Sequence, residues 1–250
     1  MPMLSSERTQ DDQGSQAAQL LRIADTTRQG GDLDSALALY RRAHTKSPNN
    51  IAPLIAIGET AFALAKFEQS ANAYEMAEQL EPENLQALLG YGKTLISLDR
   101  PNLALQRFQK AAKIDPDNYQ GFNGYGVSLD MLGRHDEAQK QYSKGIEVAP
   151  QTVSLSNNLA LSLAFDGNFD MAIGILEVLA DDPLSGVRLR QNLALIYGLA
   201  GKEDLAAKIA AKDLNPAAVA NNLAYYRELR DLTSKGRARA VFGSPKKAQK

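Results

Sequence analysis

An all-α superhelical solenoid of stacked helix-turn-helix repeats is the fold class this sequence predicts. Three observations predict it. Pro48, Pro82, Pro116 and Pro150 recur at a constant spacing of 34 residues. Small residues and aromatic rings recur between them at the same spacing. The 250 residues are 44% hydrophobic but only 6% aromatic, the apolar side chains being mainly Ala and Leu. Ala and Leu are strong helix formers, and small side chains let helices approach closely.

Six repeats are predicted, beginning at Ala17, Ile51, Leu85, Tyr119, Val153 and Val187. Proline lacks the amide donor and clashes with the preceding turn, so each recurring proline marks the end of one helix pair. Asn49–Asn50, Glu83–Asn84 and Asp117–Asn118 follow three of these prolines, and Asn is a good cap for the helix that comes next. Counted from each start, position seven is Ile23, Ile57, Tyr91, Tyr125, Leu159 and Leu193, on one face of a first helix. Position eight stays small, as Ala24, Gly58, Gly92, Gly126, Ala160 and Ala194. In the second helix, position twenty is Ala36, Ser70, Ala104, Ala138, Ala172 and Ala206, and position twenty-four is Tyr40, Tyr74, Phe108, Tyr142, Leu176 and Ala210. The small positions predict close helix crossings, and the ring at twenty-four predicts a filler between neighbouring pairs. One such hairpin cannot bury its own apolar face, so the repeats must stack. The turn between the two helices carries Gly31, Gly133, Gly167 and Gly201, with Ala65 and Asp99 in the other two repeats. Glycine suits a helix C-terminus that needs positive φ, so the Ala65 and Asp99 turns are expected to be less relaxed.

The solenoid is expected over residues 17–233. The sixth repeat has a short second helix before Pro216, and a lone capping helix follows from about Ala217 to Leu232. Residues 1–16 read as a disordered polar arm and 234–250 as a flexible basic tail. Lys235, Arg237, Arg239, Lys246, Lys247 and Lys250 place +6 in that tail, against −7 in the body before it. An acidic body does not suit nucleic acid. There is no apolar run long enough to span a membrane, and the first sixteen residues lack the basic start and apolar stretch of a secretory signal.

Nothing in the sequence sets up catalysis, so no enzyme activity, metal or cofactor is expected. Cysteine is absent, which removes disulfides, thiol nucleophiles and thiolate metal sites. The two histidines, His44 and His135, lie far apart and read as solvent-facing or capping residues. No phosphate-cradling glycine motif is present. Gly90–Tyr91–Gly92 and Gly124–Tyr125–Gly126 lie inside helices, where their repeat positions explain them as packing contacts.

The 34-residue period, with its small and aromatic marks, resembles the tetratricopeptide repeat family. That resemblance implies a concave surface lined by the first helices, which holds a protein or extended peptide segment. Carried onto this chain, the binding positions include Ile55, Phe62, Leu89, Lys93, Asn123, Val127, Asn157, Leu161, Phe165, Gln191, Leu195, Asn221 and Tyr225. Asp25 and Glu59 stand where a basic clamp for a terminal carboxylate would need positive charge, which argues against such a clamp. Phe165 and Tyr225 read either as exposed anchors or as core. Asn158, Asn192 and Asn222 share position six in the repeated phrase Asn-Leu-Ala. An amide both donates and accepts, so this ladder reads either as a grip on an extended peptide backbone or as a seam between helices.

Arg190–Leu195 (RQNLAL) and Asn221–Leu229 (NNLAYYREL) resemble the TadD family of tight-adherence, or Flp-type, pilus assembly. The resemblance implies an assembly adaptor of the periplasm and outer membrane, with a pilus secretin or another assembly component among its partners. The chain departs from that family in having no lipobox cysteine and no signal. A cytoplasmic scaffold or chaperone for a secreted subunit is the alternative.

Overall fold

The computed structural model describes residues 3–180 and 186–243. It is all-helical over them and divides into two compact bodies, Met1–Leu98 and Asp99–Lys250. The N-terminal body holds α1 (Met3–Gln29), α2 (Leu33–Lys46), α3 (Ile51–Ala63), α4 (Phe67–Leu80) and α5 (Leu85–Ser97). The C-terminal body holds α6 (Pro101–Ile114), α7 (Tyr119–Met131), α8 (His135–Val148), α9 (Val153–Phe165), α10 (Phe169–Ala180), α11 (Val187–Leu199), α12 (Glu203–Ala210), α13 (Pro216–Arg230) and α14 (Ser234–Phe242). First helices begin at the predicted Ile51, Leu85, Tyr119, Val153 and Val187, so the repeat fold is as the period predicts.

Local chemistry starts and stops these helices. Asn50, Asn84 and Asn118 accept backbone N–H bonds from Ala52, Ala87 and Gln120, satisfying donors that a helix start leaves orphaned. At the turns, Gly31, Gly133, Gly167 and Gly201 have φ of +90°, +79°, +88° and +77°. The amide one residue further on bonds back to a carbonyl five residues earlier, as in Lys66 to Ala61 (2.8 Å) and Asn168 to Leu163 (2.8 Å). This closes the last helical turn and leaves its final residue left-handed. Ala65 and Asp99 take the same conformation, at +54° and +55°, and carry its steric cost.

Ring-into-glycine packing builds the core of each body. In the N-terminal body, a Cβ on Gly58 or Gly90 would lie 2.7 or 2.3 Å from the Tyr74 ring. In the C-terminal body, the Phe108 ring fills the equivalent space at Gly124 (2.2 Å) and the Tyr142 ring that at Gly126 (2.5 Å). Where position twenty-four shrinks to Leu176 and Ala210, the core draws instead on Phe165, Tyr197 and Tyr226.

Both chain ends differ from expectation. Helix α1 runs Met3–Gln29, through most of the stretch read as a polar arm. The basic segment is not a free tail up to residue 243. Thr233 caps α14 by accepting from the Gly236 N–H, and α14 packs on α7, α9 and α13 with Ala238 fully buried. Residues 1–2 of the arm and 244–250 of the tail, including Lys246, Lys247 and Lys250, lie outside the described residues. None of the described helices is long and apolar enough to cross a membrane.

Candidate protein-binding faces

In the N-terminal body, the first helices α1, α3 and α5 bring the predicted residues together on a face of mixed character. Ile55 is buried, Phe62 and Leu89 are half-buried, and Lys93 is exposed. The Lys93 ammonium lies 4.4 Å from the Phe62 ring centroid, a cation–π arrangement that covers the ring with charge. Phe67 supports the same ring at a tilt, with centroids 5.3 Å apart and planes at 60°. Beside it, Glu59 accepts from Arg28 (2.9 Å) and from Gln86 (2.8 Å), linking three successive first helices. The arginine and glutamate are each more than a third exposed, so this link is a polar rim rather than a major source of stability.

The matching face of the C-terminal body is largely closed. Leu161, Phe165 and Leu195 are core residues, with Phe165 only 1% exposed. This corrects their placement as groove-lining residues. Over Phe165 the cover is α14, whose Phe242 ring meets it edge-to-face at 5.6 Å and 87°. Tyr225 remains 40% exposed, and its hydroxyl donates to the Ala240 carbonyl at 3.4 Å. Val127 is half-buried against the core around Tyr142, and Asn221 is exposed.

The asparagines form a relay between helices. Asn192 Nδ2 donates to Asn157 Oδ1 (2.8 Å), Asn157 Nδ2 to Asn158 Oδ1 (3.1 Å), and Asn158 Nδ2 to Asn123 Oδ1 (2.8 Å). Asn157 and Asn158 are buried. Asn222 pairs with Gln191 (3.4 Å) instead of with Asn192, and Gln191 in turn reaches Asp213. Arg190 grips Asp213 with two bonds (2.8 and 2.6 Å) and holds its carboxyl below the ordinary value. Of the two readings of the ladder, the geometry favours the seam, because the amides are paired with one another.

A second polar cluster lies behind this face. Fully buried Asp130 accepts from Tyr142 (2.9 Å) and Ser162 (2.7 Å), and lies 2.7 Å from His135 Nδ1. Burial pushes the Asp130 carboxyl above its ordinary value, and these hydrogen bonds oppose that rise. His135 is buried, not solvent-facing. Repeat position seventeen, which it occupies, is otherwise Leu33, Phe67, Pro101, Phe169 and Glu203, and that largely apolar run is the sequence signal for its burial. Asp, His and Ser come together here without forming a catalytic relay. The serine donates to the aspartate rather than to the imidazole, and the whole group is sealed from solvent. Among the described residues, no cluster of His, Cys, Asp or Glu could hold a metal ion.

Comparison with known proteins agrees with this architecture. Two tetratricopeptide repeat family models match, one over residues 55–119 and the other over 108–140. No curated protein sequence matches the chain. Among solved structures, a tetratricopeptide repeat protein from Parabacteroides merdae is 21% identical with a TM-score of 0.70, covering 84% of each chain. PilF of Pseudomonas aeruginosa is 16% identical with a TM-score of 0.63, covering 80% of this chain and 91% of its own. YrrB, described as having an unusual peptide-binding site, is 21% identical with a TM-score of 0.56, covering 78% and 91%. At these identities the likeness is one of fold, and the tetratricopeptide repeat models themselves match within residues 55–140.

Proposed function

We propose that this tetratricopeptide-repeat chain is a non-enzymatic scaffold that holds a segment of a partner protein on the α1–α3–α5 face, in the assembly of a Flp-type pilus or its secretion apparatus. The observation that carries the reading is the open, mixed face itself. Phe62, beneath Lys93, and half-buried Leu89 offer apolar contact, while Arg28, Glu59 and Gln86 form a polar rim. Aromatic anchors ringed by polar groups are what protein interfaces use to concentrate binding energy. Asp25 and Glu59 stand where a basic clamp for a terminal carboxylate would need cations, and Glu59 already engages Arg28, which favours an internal segment of the partner. The RQNLAL and NNLAYYREL phrases support the pilus role, and the fold shared with PilF is compatible with it. The periplasm is the compartment this role requires.

The test is co-purification of the tagged chain from its native cells, with the doubly substituted Glu59→Lys, Phe62→Ala protein alongside. Wild type should recover a pilus secretin or another Flp assembly component, and the variant should lose it while keeping its helical circular dichroism. Equal recovery by the variant would reject the face. Recovery of no pilus component would reject the pilus role, and fractionation to the cytoplasm would favour a scaffold for a subunit before export.

A further inference from the structure

The α7–α9 face of the C-terminal body is already occupied by a piece of the same chain. Helix α14 leaves α13 through the short link at residues 231–233 and lies against α7 and α9, both first helices. Its apolar side presents buried Ala238, half-buried Val241 and Phe242, the last against Phe165. Its basic side is held by acceptors. Arg237 donates to the Leu229 and Arg230 carbonyls (3.0 and 2.8 Å), at the C-terminal end of α13 where the helix dipole favours a cation. Arg239 Nε lies 3.4 Å from the carboxylate of Asp99, the residue that accepts a left-handed conformation at its turn. Lys235 lies over Gly133, with its Cβ 3.2 Å from where a glycine Cβ would be. Helix α14 therefore sits as a bound peptide would, with one aromatic anchor, small residues at the contact and basic groups at the rim.

It is also poorly built to be permanent. Nine residues are too few to hold a helix alone, so α14 exists by virtue of its seat. Gly236 sits within it, and three of its nine residues are basic with no acid among them. Segments with few buried apolar contacts are the ones that open locally while the rest stays folded.

We propose that the α7–α9 face is a receptor for a short basic amphipathic helix, and that α14 is its resident occupant, displaced by a partner helix of the same pattern. That pattern is a small residue followed by an aromatic on one side, with Arg or Lys on the other. Displacement uncovers Phe165, and with it the first-helix face that the sequence marked for binding. This site is separate from the α1–α3–α5 face and stands or falls independently of it.

The probe is a fluorescein-labelled peptide of residues 233–243 (TSKGRARAVFG), titrated by anisotropy into the full-length chain and into full-length Phe242→Ala. Hydrogen exchange is measured on the wild type in parallel. The α14 amides should exchange at least about tenfold faster than those of α9, and the peptide should bind Phe242→Ala at least about tenfold more tightly than wild type. Adding Phe165→Ala should abolish that binding. Equal protection of α14 and α9, or a folded Phe242→Ala that ignores the peptide, would overturn the proposal. So would unfolding of the C-terminal body in Phe242→Ala, which would make α14 an integral part of the core.

Discussion

Substituting the left-handed turn residues in both directions isolates a single backbone effect. Ala65 stands at φ +54° where four other repeats carry glycine, and its side chain is exposed, so Ala65→Gly removes no packing. Gly167 stands at +88° with nothing within 4 Å of where a Cβ would stand, so Gly167→Ala creates no clash. Holding an L-residue in the left-handed region costs about 1–2 kcal/mol. Alanine recovers roughly 0.4–1 kcal/mol of this by restricting the unfolded chain more than glycine does. The net is about 0.5–1 kcal/mol, stabilising for Ala65→Gly and destabilising for Gly167→Ala. With a urea slope of about 2 kcal/mol/M, the midpoints should move by roughly 0.3–0.5 M in opposite directions. Asp99→Gly should be close to neutral, because relief at the turn is offset by loss of the half-exposed contact with Arg239, which is worth about 0–1 kcal/mol. Urea unfolding followed by circular dichroism reads all three. A midpoint lowered by Ala65→Gly, or one raised by Gly167→Ala, would refute the reasoning.

Three further outcomes follow from the packing and the charges. Gly124→Ala, whose Cβ would lie 2.2 Å from the Phe108 ring, should destabilise by about 1–3 kcal/mol, whereas Gly174→Ala in the open middle of α10 should stabilise by about 1 kcal/mol; thermal melts of the pair check the contrast. Glu203 bonds Arg227 and Arg230, which hold its carboxyl down at about 2, so its contribution is complete above the ordinary value of 4.5 and is lost as pH falls towards 2. Glu203→Gln should accordingly flatten the acid limb of a stability–pH profile across that window and leave the neutral region parallel to wild type. Asp130→Ala strands the buried donors of Tyr142 and Ser162, and at about 1–3 kcal/mol for each it should be among the most damaging single changes in the C-terminal body, as read by its urea midpoint.

The fold was legible because its determinants are local and periodic. Prolines, asparagine caps and turn glycines act within a few residues, so spacing alone places the helix starts at Ile51, Leu85, Tyr119, Val153 and Val187. The faces were harder to read. Repeat position tells which residues share the side of a first helix, but not what else in the chain lies on that side. Phe165 occupies a binding position by register and a core position in fact, because α14 returns from more than sixty residues further along to cover it. Nothing local to Phe165 signals Phe242. A further periodic mark does bear on the interior. Position ten is Thr26, Thr60, Thr94, Ser128 and Ser162, and three of its hydroxyls bond back into their own helices, Thr26 to the Arg22 carbonyl (3.0 Å), Thr94 to that of Gly90 and Ser128 to that of Gly124 (both 2.8 Å). In Ser162 the same hydroxyl turns instead to Asp130, a switch that only the neighbouring helix determines.

That switch bears on why the C-terminal body places so many polar groups in its interior. Stacked repeats with near-identical apolar faces have a register problem, because one small-on-ring contact is nearly as good as the next. In α3–α5 and α6–α7 the fit of Tyr74 and Phe108 against bare glycine backbone settles the register by shape. Beyond Tyr142 the ring at position twenty-four is lost and shape discriminates less. There, position six changes from Gly90 and Gly124 to Asn158 and Asn192, and the buried amide relay appears with it. A buried amide is costly when unpaired, so slipping the stack leaves Asn157 and Asn158 unsatisfied and is penalised even where apolar contact survives. The Asp130 cluster does the same across α7, α8 and α9. On this argument the amides specify which neighbour sits where more than they add stability, and a seam rebuilt with leucine at both 158 and 123 would keep much of its stability while losing its single register.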